Sequence, residues 1–421
     1  MPTISLITSL VLVISAYLYV SAREGSYINV LTPMYVIMIP TEYLLDLYHV
    51  IVFGPDASGF AYAMSYSGYA LYTVSLALAY TLLKVPRFTL PFDKPARQGS
   101  KSVAYLVLGG AIALYLPVLI KFRHDLTDPR EIYVHTRVGY GQYFLFSIAF
   151  LYLAFILLLF SKRAKKLEFI LFFVAALCFA WLQGSKGHML GLFLILALYA
   201  VYIKGHRVRF IKFTVLSVAT GILGLGLFLI TTPSLLLNGG LTALSNYSSY
   251  TRNGMSVIDS GIGPLFGKLT LESQLYPRIP RALDPGKPHD YGDFYLAKRF
   301  FPDAYSRQGG APAFGDGLWF ADFRVFALPI FMILGFLSGA LLKMCTNSVR
   351  ENQSPGAFVL MLFAAGMPLI PISGTFLLPE TLALALLANI LYAFHISPGR
   401  AVPSGARQGS CRPSHAADRV L

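Results

Sequence analysis

A chain of 421 residues that is 56% hydrophobic, 14% aromatic and only 13% charged, with a mean hydropathy of +0.61, cannot be an ordinary water-soluble globule. Its 34 Lys and Arg against 20 Asp and Glu leave a net charge of +14, which in so apolar a sequence reads as basic inner loops and anion handling, not nucleic-acid binding. The three cysteines, Cys178, Cys345 and Cys411, share no metal-ligand spacing and form no evident disulfide pair, so neither a metal nor a cofactor is expected.

A helix needs roughly 20 apolar residues to cross the hydrocarbon core. Apolar runs predict spans near 3–22, 29–49, 64–84, 102–120, 138–160, 168–185, 189–203, 213–231, 320–342, 356–374 and 379–396, an all-α polytopic protein of about eleven helices. The first run ends at Val20-Ser21-Ala22, but no Lys or Arg precedes it as a signal peptide requires, so it reads as a retained span. Loops 84–101, 161–167 and 204–212 are rich in Lys and Arg and fall on one side with Arg23, Lys343, Arg350 and the tail, which predicts an outer N-terminus and an inner C-terminus. The chain then divides into a membrane bundle (1–231), a large outer loop (232–319), further spans (320–396) and a cytoplasmic tail (397–421), whose Gly, Pro, Ser and Arg lack apolar periodicity and predict disorder.

The 88-residue loop concentrates the polar residues. Arg252, Lys268, Arg278, Arg281, Lys287, Lys298, Arg299 and Arg307 stand opposite Asp259, Glu272, Asp284, Asp290, Asp293, Asp303 and Asp316. This near balance, with Pro277, Pro280, Pro285, Pro288 and Pro302 and eight aromatic residues from Tyr276 to Phe314, predicts a shaped, ordered surface on the membrane with short amphipathic helices. Elsewhere, Glu42, Asp46 and His49 share one face of the second span. They would form the floor of a sugar-binding cavity, an ion pair with an arginine such as Arg123 or Arg137, or a face simply exposed at the membrane interface. Arg123, Arg130 and Arg137 form a second outer basic cluster, open between substrate contact and headgroup anchoring. Asp125-x-x-Asp128 reads as a cap or surface turn, and Glu380 as a first-turn acid complementing a helix dipole.

Within the loop, Glu272-Ser273 is followed by Ile279-Pro280-Arg281, Lys287-Pro288 and then Gly315-Asp316-Gly317 leading into Trp319. Together with Gly184-Ser185-Lys186-Gly187 at an outer helix end, these elements resemble those of Wzy-type oligosaccharide repeat-unit polymerases, across roughly residues 180–345. Lysine stands at the arginine position of that family's Gly-Ser-Arg-Gly element, and Asp322-Phe323-Arg324 stands where many relatives read Asn-Phe-Gly. Arginine followed eleven positions later by glycine, a spacing associated with these polymerases, occurs at Arg252/Gly263, Arg281/Gly292 and Arg299/Gly310.

The resemblance implies a metal-independent glycosyltransferase of the bacterial inner membrane. It would join undecaprenyl-diphosphate-linked oligosaccharides at the periplasmic face, in contact with membrane lipid and with a chain-length regulator as a possible partner protein. A diphosphate leaving group needs its developing charge stabilised, and planar arginine donors reach phosphate oxygens in pairs. On that ground Arg281 and Arg278 are catalytic candidates, with Glu272 either a general base or the group that orients Arg281. His289, Asp290 and Asp293 are alternative bases, and an oxocarbenium-like transition state would need none. Arg252, Lys287, His289, Asp290, Arg299, Lys186 and Arg137 are candidate substrate contacts, with His188 beside Lys186 in the same turn. The rival readings are a ligase that passes finished polysaccharide to another acceptor and a glycolipid transporter, although the chain shows neither the internal repeat nor the short loops usual in transporters.

Overall fold

The computed structural model describes residues 2–91, 101–126, 129–136, 139–161, 165–231, 249–279, 283–308, 313–367, 369–370 and 378–393. Among them every regular element is helical. In chain order these are α1 (Pro2–Glu24), α2 (Thr32–Val52), α3 (Gly59–Leu82), α4 (Lys101–Lys121), α5 (Pro129–His135), α6 (Gly141–Leu159), α7 (Lys166–Leu182), α8 (Lys186–Tyr202) and α9 (Phe210–Thr231). The loop supplies α10 (Ser249–Asp259), α11 (Lys268–Leu275), α12 (Asp293–Phe300) and α13 (Pro302–Gln308). The chain then re-enters the bundle through α14 (Gly317–Phe323), α15 (Ala327–Asn352), α16 (Pro355–Ala364) and α17 (Leu378–Ala393).

Each predicted span falls on a helix. Five stretches are long and apolar enough to cross a membrane: α1, α2, α4, α6 and Gly317–Asn352, which a 3-10 turn at Arg324–Phe326 divides into α14 and α15. The other predicted spans are shorter or more polar. Leu106 and Ile120 of α4 and Ile211 of α9 are 66%, 66% and 77% exposed, surface that only a lipid solvent tolerates on this scale.

The most polar of the long helices, α3, lies at the centre, where Tyr62, Tyr66 and Tyr80 are fully buried and α1 and α15 pack along it. Between apolar helices in lipid, close packing replaces the hydrophobic drive, and small residues permit it. Gly335 and Gly339 of α15 meet the carbonyl oxygens of Tyr72 and Leu76 so closely that a Cβ at either would collide with them. Tyr72 Oη donates to Ser338 Oγ across the same seam at 3.2 Å.

Polar contacts gather at the two ends of the bundle. At one, Glu24 accepts from Tyr80 at 2.7 Å and from Arg350, Arg87 pairs with Glu351, Lys101 with Glu168 at 3.0 Å, and Tyr27 N–H reaches the Val208 carbonyl at 2.9 Å. These are the segments whose basic residues predict a common side. At the other end α10–α13 close over the bundle, with a small apolar core of Val257, Leu269, Leu296, Ala297, Phe314 and Ala321.

Candidate active site at the junction of loop and bundle

Thr32–Val52 is not a uniform helix, because residues Ile39–Leu44, which include Pro40, form a π-helical turn. Such turns widen a helix locally and recur at functional sites. Here the turn carries Glu42, and Asp46 follows it by four residues. Both carboxylates face the loop: Glu42 accepts from Thr251 Oγ1 of α10, and Asp46, fully buried, accepts from Tyr66 Oη at 2.6 Å.

The cation that faces them is Arg252. Its Nη1 lies 3.0 Å from Asp56 Oδ2 and its Nε 3.8 Å from Asp46 Oδ1, with the residue only 8% exposed. His49 Nε2 approaches Asp56 Oδ2 at 2.9 Å. The expected partner of the Glu42/Asp46/His49 face, Arg123 or Arg137, is therefore replaced by a loop arginine some two hundred residues away in sequence. Arg123 lies exposed in the 3-10 turn Arg123–Asp125, and Arg137 is outside the described residues, as are Thr127 and Asp128. Asp316 joins the same junction. It accepts from Ser65 Oγ of α3 at 2.9 Å, and Tyr69 Oη meets Thr251 Oγ1 at 3.3 Å.

A second group lies under the Pro-rich stretch. Arg278 donates from Nε to Glu380 Oε1 at 2.5 Å and from Nη2 to Glu380 Oε2 at 3.3 Å, the two-pronged geometry in which guanidinium and carboxylate fit best. Glu380 thus does more than complement the dipole of α17, since it holds a loop arginine. Lys287 Nζ donates to the carbonyl oxygens of Tyr276, at 2.5 Å, and Ile279, at 3.1 Å, and stands over the Tyr291 ring. The ammonium group therefore ties Lys287 back to Tyr276 and to Ile279, the last described residue before Pro280 and Arg281. Those two residues and Ala282 lie outside the described residues.

Glu272, in α11, is half-buried and makes no hydrogen bond or ion pair among the described residues. Its neighbour Ser273 packs against Gly292, where a Cβ would collide with Ser273 Oγ. Gly292 has φ +52° and Gly263 φ +95°, the latter tight against the Ala321 carbonyl. Both glycines of the Arg-to-Gly spacing that the structure describes thus occupy turns that L side chains rarely adopt; Gly310 is outside the described residues. Asp322, at the Asn position of the related motif, accepts from the backbone N–H groups of Leu269, at 3.0 Å, and Thr270, at 2.7 Å, and so caps α11.

Of the remaining candidates, Asp290 is engaged by Lys298, at 2.5 Å, and Tyr305, at 2.6 Å, which hold its carboxyl below the usual range. His289 and Arg299 are exposed. Lys186 opens α8 half-buried, while His188 is buried beside the rings of Phe144 and Tyr152. Asp293, at the start of α12, has no hydrogen-bond partner for Oδ1 among the described residues, and burial raises its pKa to about 6. Folded protein therefore binds this proton more tightly than unfolded chain does. Any stabilisation from it is complete at low pH and is lost as pH rises through about 6. If Asp293 serves as the base, the rate falls below about pH 6, and Asp293→Asn removes that limb of the pH profile; an unchanged limb in the Asn variant excludes it.

Two curated proteins, O-antigen polymerases from Salmonella typhimurium (strain LT2) and Salmonella typhi, are each 36% identical to this chain over 394 residues, which is 92% of it and 95% of the relative. The chain belongs to the O-antigen polymerase family. No family model and no solved structure matches it. The likeness runs through bundle and loop alike, well beyond the short motifs of residues 180–345. As an O-antigen polymerase the chain is a polymerising glycosyltransferase of the inner membrane that acts on lipid-linked oligosaccharide repeat units. Asp56, Thr251 and Tyr66 are not apparent as site residues from sequence, where the signal is that two carboxylates on one helix face require a buried counter-charge; Asp316 stands in the Gly315-Asp316-Gly317 element without a role assigned to it.

Proposed function

We propose that this O-antigen polymerase joins undecaprenyl-diphosphate-linked repeat units at the periplasmic face, without a metal, and releases undecaprenyl diphosphate. A hydroxyl of one unit attacks the anomeric carbon of the growing chain. The new glycosidic C–O bond forms as the anomeric C–O bond to diphosphate breaks, the hydroxyl proton passes to a carboxylate or solvent, and the diphosphate departs as the anion. Guanidinium groups aimed at that anion lower the barrier, because their donors are already oriented when charge develops. Arg281 and Arg278 take this role, with Glu272 as base or orienting group. Arg252, Lys287, His289, Asp290, Arg299, Lys186 and Arg137 shape and charge the surrounding surface.

The observation that carries this reading is the 36% identity to O-antigen polymerases along 92% of the chain. The packing supports it: the one long hydrophilic segment folds over the bundle end opposite the basic loops, and the positive-inside rule assigns those loops to the cytoplasm. Arg278 is held there by Glu380, and Lys287 is held by the carbonyls of Tyr276 and Ile279. The nearest alternative within the same chemistry is a ligase. Purified protein given one lipid-linked repeat unit should build a ladder of products; strict dependence on a second acceptor would make it a ligase. A chain-length regulator would act on this reaction from outside the chain described here.

A further inference from the structure

We infer that the cleft beside Arg324 seats the first isoprene units of the attacking unit's polyprenyl diphosphate, with the Arg324 guanidinium on that diphosphate and not on the leaving one. This rests on the reaction just proposed, and assigns its lipid a place. The cleft, about 220 Å³, lies where α3, α10 and α14 meet; its walls include Phe60, Met64, Val257, Ile258 and Phe320, and Arg324 is the charged residue among those that line it.

Three observations point to an amphiphile with an anionic head. First, Arg324 is exposed and its guanidinium makes no ion pair or hydrogen bond among the described residues, whereas Arg252 and Arg278 are held by carboxylates. Exposed Arg299 is not part of this cleft. Second, Arg324 has φ +54° and ψ −134°, a conformation that favours glycine, so the backbone alone does not call for an arginine. Its guanidinium lies over the Gly261 turn, where even a Cβ would come within 3.6 Å of Nη1. Third, apolar residues that line the cleft are open to its mouth: Phe60 of α3 and Val325, where the chain approaches α15, are 58% and 51% exposed.

The occupant follows from size and charge. Sites that engulf a whole drug-sized ligand run to roughly 300–1,000 Å³, so this cleft suits a segment of one chain and not a headgroup with two tails. A diphosphate carries more negative charge than a phosphodiester, so a guanidinium near the lipid boundary attracts it more strongly. The sugars would lie outside, because the walls offer them no hydrogen-bonding side chain besides Arg324.

The test uses the purified full chain in lipid nanodiscs and farnesyl diphosphate carrying a photoreactive diazirine in its chain. Labelling is expected within 60–64, 257–262 or 317–325, the segments that line the cleft. It should fall about ten-fold or more in Arg324→Gly, the loss expected when a charged hydrogen-bonding partner is removed. Because glycine suits this backbone, that variant should unfold at no lower a temperature than the parent; Arg324→Lys should label at an intermediate level. Unlabelled undecaprenyl diphosphate should compete, and phosphatidylglycerol should not. Labelling indifferent to Arg324, labelling elsewhere, or equal competition by phosphatidylglycerol overturns the assignment. The ladder reaction on the same preparation separates the two readings. A ladder with Arg324-independent labelling overturns the cleft alone, and correct labelling without a ladder overturns the reaction and leaves the lipid site.

Discussion

Arg281→Ala is expected to collapse the product from long polymer to single repeat units, at unchanged protein level. Removing one preorganised donor from a developing anion typically costs about 10²–10³ in rate. For a processive polymer such a loss at every addition leaves little beyond the first unit. Arg281→Lys should restore polymer only in part, since a point charge does not copy the paired donors of guanidinium. Glycan banding by gel, beside an immunoblot for the protein, reads the result. Full-length polymer from the alanine variant would remove Arg281 from the mechanism.

The second large effect is one of stability. Arg252→Ala leaves Asp46 and Asp56 without their guanidinium, and Asp46 is fully buried. Breaking a buried pair from one side typically costs about 3–5 kcal/mol, because the remaining charge is left uncompensated. Thermal unfolding in detergent should show a clear fall for Arg252→Ala. Adding Asp46→Asn to that variant should recover part of it, since a neutral amide no longer needs the cation. Equal melting of Arg252→Ala and parent would show that the junction carries no such burden, and an additive second loss would show that Asp46 acts independently of Arg252.

Much of this architecture is legible in the sequence for a simple reason: in lipid the apolar run is the helix, so each predicted span lands on one. The grouping of basic loops at one end is legible on the same ground, since charge near span ends decides sidedness. What could not be read is the pairing of groups far apart along the chain. Glu42, Asp46 and His49 announce a polar face, but nothing in their spacing selects Arg252 over the nearer Arg123. Glu380 after Pro379 looks complete as a first-turn acid, and only the fold brings Arg278 to it. The π-helical turn at Ile39–Leu44 leaves no periodic signature of its own. The Gly335-x-x-x-Gly339 spacing, by contrast, is visible as a close-packing signal, and its partner, α3, is what the structure adds.

The fork between Arg278 and Glu380 has a consequence for biogenesis. The two residues are 102 positions apart, and Glu380 lies in the last helix described. During synthesis Arg278 is made while its anchoring carboxylate has yet to be translated. A nascent chain stalled before that helix would carry every loop cation and still lack the grip that aims Arg278. If Arg278 acts as proposed, sugar transfer waits for the closing helix.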